Sequence, residues 1–161
     1  MTGPERVSRR EARPNVDLVH LLRAVTVELD LLGAAFARTH GLHATDPRAL
    51  IVLLDVARAG EVATPGRLAT ALSLDPSSVT TVVERLVRTR MVRRRPDEQD
   101  RRRVLLEVTD EAQELGWSFF GPLIREVAAA ADALQEDQRA AVREFLASVA
   151  RSIQARRSAP L

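Results

Sequence analysis

The stretch RRPDEQDRRRVLLEVT, Arg94 to Thr109, crowds five arginines and four acids together, three of the acids ahead of an apolar, β-branched run and the fourth within it. Guanidinium groups at this density can fork onto phosphate oxygens and base edges, a geometry that suits Arg better than Lys. A solvated loop whose charges pair off locally is the bland alternative. The charge is unevenly spread. Residues 77–103 hold nine Arg against Glu84, Asp97, Glu98 and Asp100, five net positive charges on a chain whose formal net charge is +2. A compact basic stretch on a nearly neutral protein points to one face that meets a polyanion.

The rest of the chain must hold that face in place. Its 161 residues are enough for one well-packed domain with a further dimerisation element. Hydrophobic content of 45% beside 29% charge is ordinary for a folded protein. With four Phe, one Trp and no Tyr, the core must come from Leu, Val and Ala, which favours helices. The lack of cysteine excludes disulfides, cysteine zinc sites, thiol nucleophiles and thiol redox sensing. His20, His40 and His43 lack the spacing of a metal cluster, and neither metal nor cofactor is expected. No apolar run approaches the ~20 residues that span a bilayer. The opening MTGPERVSRREARPNVD has charge with no apolar stretch behind it, so neither a signal peptide nor a membrane is expected and the cytoplasm is the expected compartment.

Residues 1–14 read as a loose arm. From Asn15 to about His40, Leu18, Leu22, Val25, Leu29, Leu32 and Phe36 recur at helical steps, and Leu21, Val27 and Leu31 widen the apolar surface beyond one stripe. Such a helix sits deep in a core or packs on a partner chain. Thr45-Asp46-Pro47 predicts a helix start with Thr45 as N-cap, Gly60 a stop, and Thr64-Pro65 a second start for a short helix. A tight turn follows at Leu72–Leu74. Asp75-Pro76 then opens a helix reaching about Arg90, with Val79, Val82, Val83, Leu86 and Val87 on one face. Val92–Arg95 and Val104–Val108 predict a hairpin around the charged loop. Thr109 caps a helix that Gly121-Pro122 should interrupt or kink. A final helix carries Val142, Phe145, Leu146, Val149 and Ile153, and residues 155–161 read as a fraying tail.

A short helix, a tight turn and a helix with a polar Ser/Thr/Arg face form a helix-turn-helix, and the basic hairpin makes it winged. The second helix fits the major groove, ~12 Å wide. Its start at Ser77 would turn free backbone N–H groups towards a phosphate. The hairpin tip would place an Arg in the next minor groove. Ser77, Ser78, Thr80, Thr81, Arg85 and Arg88 are the candidate contacts on the helix, with Arg85 and Arg88 leading; Ser77 serves equally well as a helix cap.

MVRRRPDEQDRRRVLLEVTDEA resembles the wing of the MarR (multiple antibiotic resistance regulator) family, with its Asp-x-Arg signature at Asp100 and Arg102. Upstream, LATALSLDPSSVTTVVERLVRTRMV is similar to that family's helix-turn-helix, and the flanking helices match in number and order over roughly residues 16–153. The resemblance implies a mainly α fold with a small β-hairpin wing, a winged helix-turn-helix over 45–109, and long terminal helices over 15–44 and 110–154 that make a homodimer. It implies that Asp100 positions Arg102 for the minor groove, by accepting its guanidinium, while Arg101 or Arg103 meets the DNA backbone. Many family members carry Arg where this chain has Thr81, a departure that leaves the base preference open. The function implied is a sequence-specific regulator, a repressor, of double-stranded DNA on a pseudo-palindromic operator. Release by a small aromatic or phenolic effector is implied too. By position His43, Arg48 and Trp117 could line its pocket, although a capping His and a core Trp are the commoner roles.

Two other classes compete. No nucleophile motif and no phosphate-cradling glycine loop is present, which leaves an enzyme the weakest reading. A helical interaction module that antagonises another regulator without touching DNA would have no use for Asp100 beside Arg102.

Overall fold

A computed structural model describes residues 15–158; the expected arm at 1–14 and the last three residues of the tail lie outside the described residues. The chain divides into two compact units, one ending at Ala112 and the other beginning at Gln113.

The first unit holds α1 (Val16–Thr39), α2 (Asp46–Arg58), α3 (Pro65–Leu72), α4 (Pro76–Arg88), β1 (Val92–Pro96) and β2 (Val104–Val108). Glycines end α1 and α2 as expected. Gly41 and Gly60 sit at φ +64° and +70°, and the next amides reach back to close the last turn, Leu42 to Ala37 at 2.8 Å and Glu61 to Val56 at 3.0 Å. The Thr64 side chain accepts from the Arg67 amide and starts α3. α2 starts differently from expectation. Thr45 is in the right-handed helical region and makes no side-chain cap; its hydroxyl is turned to other partners, and the Asp46 carboxylate reaches back to the His43 amide at 2.8 Å.

The core draws one face from every element from α2 to β2: Leu50 and Leu53 of α2, Leu68 of α3, Val79, Val82, Val83 and Leu86 of α4, Val92 of β1 and Leu106 of β2. The period of 3.6 in α4 and of 2 in the hairpin brings these side chains to one side. β1 and β2 pair antiparallel with Val92 opposite Val108 and Arg94 opposite Leu106. The Leu106 amide also bonds the Ala63 carbonyl at 2.9 Å, which ties the hairpin to the segment between α2 and α3.

Just past the end of α4, Arg90 sits at φ +60°, with the Met91 amide bonded to the Leu86 carbonyl at 2.9 Å. A residue with a Cβ is strained there by about 1 kcal/mol. Arg90→Gly should therefore raise the thermal midpoint by roughly 2–4 °C. A melt followed by circular dichroism that shows no rise would contradict this.

Most of α1 is not covered within the chain. Phe36 and Ala37 are buried, whereas Val19, Leu21, Val25, Leu29 and Leu31 are exposed. Of the two placements expected for a helix apolar on both sides, the deep core is therefore not the one taken.

The second unit consists of most of α5 (Asp110–Asp132) and α6 (Glu136–Ser158). Thr109 Oγ1 accepts from the Ala112 amide at 3.1 Å and its hydroxyl reaches the Arg90 carbonyl at 2.8 Å, so the expected cap is present. α5 runs through Gly121 and Pro122 as one helix, against the interruption expected there. The buried Gly121 lies under the Trp117 ring, whose Cε2 stands 3.5 Å from where a Cβ would be. α6 continues to Ser158, beyond the start of the expected tail. Trp117, Ile124, Val127, Val142, Phe145, Leu146 and Ile153 are exposed along these helices. No described helix is long and apolar enough to cross a membrane.

Candidate nucleic-acid interface

α4 and the hairpin carry the arginines singled out above, and β1 packs along α4. The first turn of α4 is organised by Asp75. Its Oδ1 accepts from the Ser77 amide at 3.0 Å and the Ser78 amide at 2.9 Å, and the carboxylate also takes the hydroxyl protons of both serines. These bonds, the Ser77 hydroxyl foremost and the Ser78 hydroxyl next, hold the Asp75 carboxyl well below the usual carboxylate range. The amides expected to face a phosphate are thereby satisfied within the chain. The hydroxyls of Thr80 and Thr81 donate to the carbonyls of Pro76 (2.8 Å) and Ser77 (3.2 Å).

Arg85 has a structural partner. Its guanidinium meets the Asp46 carboxylate through Nε at 3.0 Å and Nη2 at 2.6 Å, and Nη2 also donates to Thr45 Oγ1 at 3.0 Å. The Asp46 side chain is 0% exposed and the Arg85 side chain 19%. A charge so placed persists only when paired. Arg85, expected to lead the DNA contacts, is therefore committed in this conformation to fixing α4 against the start of α2. Arg88, the other leading residue, is exposed at the last turn.

The wing is built by its aspartates. Asp100 Oδ1 accepts the backbone N–H of Arg102 at 3.0 Å, and the Asp100 carbonyl takes the Arg103 amide at 2.8 Å. Asp100 thus fixes the turn through the backbone of Arg102, and among the described residues no acid pairs with that guanidinium. The buried Asp97 accepts the Gln99 amide at 2.9 Å and pairs with Arg103 Nη1 at 3.4 Å. On the strands, Glu107 lies between Arg93 Nε (2.8 Å) and Arg95 Nε (3.1 Å). Its hydrogen bond, with the attraction of its charge, raises the Arg93 guanidinium above the ordinary arginine range.

The arginines thus divide into two sets. Arg85, Arg93, Arg95 and Arg103 are paired with acids. Arg88, Arg90, Arg94, Arg101 and Arg102 are exposed, and among the described residues no acid pairs with any of them. Sequence reasoning passed over Arg94. The alternation of β1 could have found it, since Arg94 falls on the opposite strand face from Arg93 and Arg95 and out of reach of Glu107.

Of the residues considered for a ligand pocket, His43 Nδ1 lies 3.0 Å from Thr45 Oγ1, and Arg48 Nη2 donates to Asp30 of α1 at 2.9 Å. Trp117 belongs to the other unit. Among the described residues no group of three or more His, Cys, Asp or Glu could hold a metal ion.

Comparison with known proteins adds three findings. The sequence model described as MarR family matches residues 40–103. A comparison with curated proteins gives no match. Solved structures share the fold. A mutant of MepR from a multidrug-resistant clinical isolate of Staphylococcus aureus is 19% identical, with 84% of this chain and 96% of that one covered at a TM-score of 0.68. The Thermotoga maritima transcriptional regulator Tm0710 is 21% identical, with 89% and 99% covered at 0.56. The S. aureus MepR–DNA complex is 18% identical, with 84% and 98% covered at 0.55. The chain therefore has the fold of the MarR winged-helix regulators.

Proposed function

We propose that this chain, whose residues 40–103 match the MarR family model, is a cytoplasmic, homodimeric regulator that binds double-stranded DNA and represses transcription. The observation that carries this reading is the division of the arginines. Those that build the frame are paired, while Arg88, Arg90, Arg94, Arg101 and Arg102 are left to an outside anion. The complex of the fold neighbour MepR with DNA supports the same reading. A single winged helix covers too few base pairs for selectivity in a genome. The exposed apolar faces of α1 in one unit, and of α5 and α6 in the other, are each open to a second copy, and a two-fold dimer would space two reading helices about one DNA turn, ~34–36 Å, apart.

Release by a small aromatic or phenolic ligand belongs to the same proposal. The Arg48–Asp30 pair has side chains 64% and 57% exposed, and such pairs contribute only about 0–1 kcal/mol. A phenolate or carboxylate could therefore displace Asp30 at little cost.

Titration of the purified protein against DNA flanking its own gene, at several salt concentrations and with Arg102→Ala, tests the reading. Wild-type binding should be selective and weaken steeply with salt. Arg102→Ala should lose roughly ten-fold or more in affinity and about one unit of salt slope, with its melting temperature unchanged. Failure to bind either that DNA or random duplexes would leave the interaction-module reading in its place.

A further inference from the structure

The outward stripe of α4 runs Ser77, Thr80 and Thr81, Glu84, Arg88, at helical steps of three and four. Every hydroxyl proton on it already has a taker inside the chain. The Ser77 and Ser78 hydroxyls face the Asp75 carboxylate, and those of Thr80 and Thr81 face backbone carbonyls. Carboxylates and carbonyls only accept, so in each pair the hydroxyl is the donor. What these hydroxyls offer outward is lone pairs. The amides of Ser77, Ser78 and Val79 are bonded to Asp75 as well. Glu84 is exposed and carries no ion pair among the described residues, although Arg88 stands one turn further on. From Asp75 to Glu84 the outward face of α4 is therefore an array of hydrogen-bond acceptors, with its first free cation at Arg88.

We propose that α4 reads DNA as an acceptor face, with Glu84 as its specificity-determining residue, accepting from the N4 amino group of cytosine in the major groove. Cytosine matches because its major-groove edge presents a donor alone. Adenine sets the N7 lone pair beside its amino group, and guanine offers only acceptors. A carboxylate turned towards a polyanion weakens binding to every sequence and is compensated only where an amino proton meets it. Glu84 thus lowers overall affinity and raises selectivity.

The inference rests on the reading of α4 as the base-reading helix, and the experiment separates the two. Full-length protein and Glu84→Gln are each used to select binding sites from a pool of random duplexes. Single-base variants of the selected site are then titrated. The wild type should select cytosine at one position of each half-site, and replacing that pair should weaken it by about tenfold or more. Glu84→Gln, whose amide both donates and accepts, should lose the cytosine preference and gain adenine there. It should also bind random duplex more tightly than the wild type, at an unchanged melting temperature. A purely structural role for Glu84 would not produce that combination. An unchanged cytosine preference in Glu84→Gln, a wild-type site with no selected cytosine, or weaker binding of Glu84→Gln to random duplex would each overturn the assignment while leaving DNA binding intact. A wild-type protein that enriches no duplex would overturn the reading of α4 as well.

Discussion

Replacing Asp46 with alanine is expected to destabilise the protein by about 3–5 kcal/mol. For a chain of this length the thermal midpoint would fall by on the order of 10 °C. The carboxylate is wholly buried and accepts from Arg85 Nε, Arg85 Nη2 and the His43 amide. Its removal leaves a guanidinium with 19% exposure and, among the described residues, only Thr45 Oγ1 as partner. The loss comes mainly from that stranded charge and less from the attraction forfeited. A second variant separates the two. Asp46→Leu combined with Arg85→Met removes both charges and should recover most of the stability, since buried ion pairs gain little over well-packed apolar groups. Calorimetric melts of wild type, single and double variants read this directly. A single variant that melts within about 2 °C of wild type would show that α4 is held by its apolar face alone.

Leu86→Ala should cost about 3–4 kcal/mol in equilibrium urea unfolding. Leu86 is 0% exposed in a core contributed by all the elements from α2 to β2. Its neighbours Val83 and Leu68 are just as closed in, so the cavity cannot collapse cheaply. The slope of unfolding against urea should stay constant while the midpoint moves, because the unfolded chain and the surface it exposes are nearly the same. A loss below about 1 kcal/mol would mean that the helices close over the gap, and that α4 is more mobile against the core than its packing indicates.

What was legible in the sequence was local. Gly41 and Gly60 stop helices because a left-handed turn favours a residue without Cβ. Thr64, Asp75 and Thr109 start them because their side chains take first-turn amides. Valines at helical spacing marked the buried face of α4. The partners of polar side chains were not legible. Asp46 and Arg85 are 39 positions apart, and no periodicity connects them, so a guanidinium on a basic helix read as a DNA contact. The same local reading gave Thr45 a cap that its contact with Arg85 precludes. At the wing, an Asx-type turn brings the Asp100 carboxylate to the Arg102 amide, where the sequence suggests its guanidinium. At Gly121-Pro122, where local rules predict an interruption with a kink, α5 continues as one helix, with the Trp117 ring lying over the glycine.

The cap of α4 also has a bearing on acidity. Asp75 is ionised far below the range where carboxylates usually titrate. The support its carboxylate gives the folded state is therefore fully present above about pH 4, and is withdrawn only as stronger acid protonates it. Over the whole span from weakly acidic to alkaline surroundings, the serine hydroxyls keep the same orientation and the leading edge of the helix keeps the same polarity. A sensor of acidity would need a group that changes charge within that span, and this edge holds none. Its chemical grammar is constant across that span.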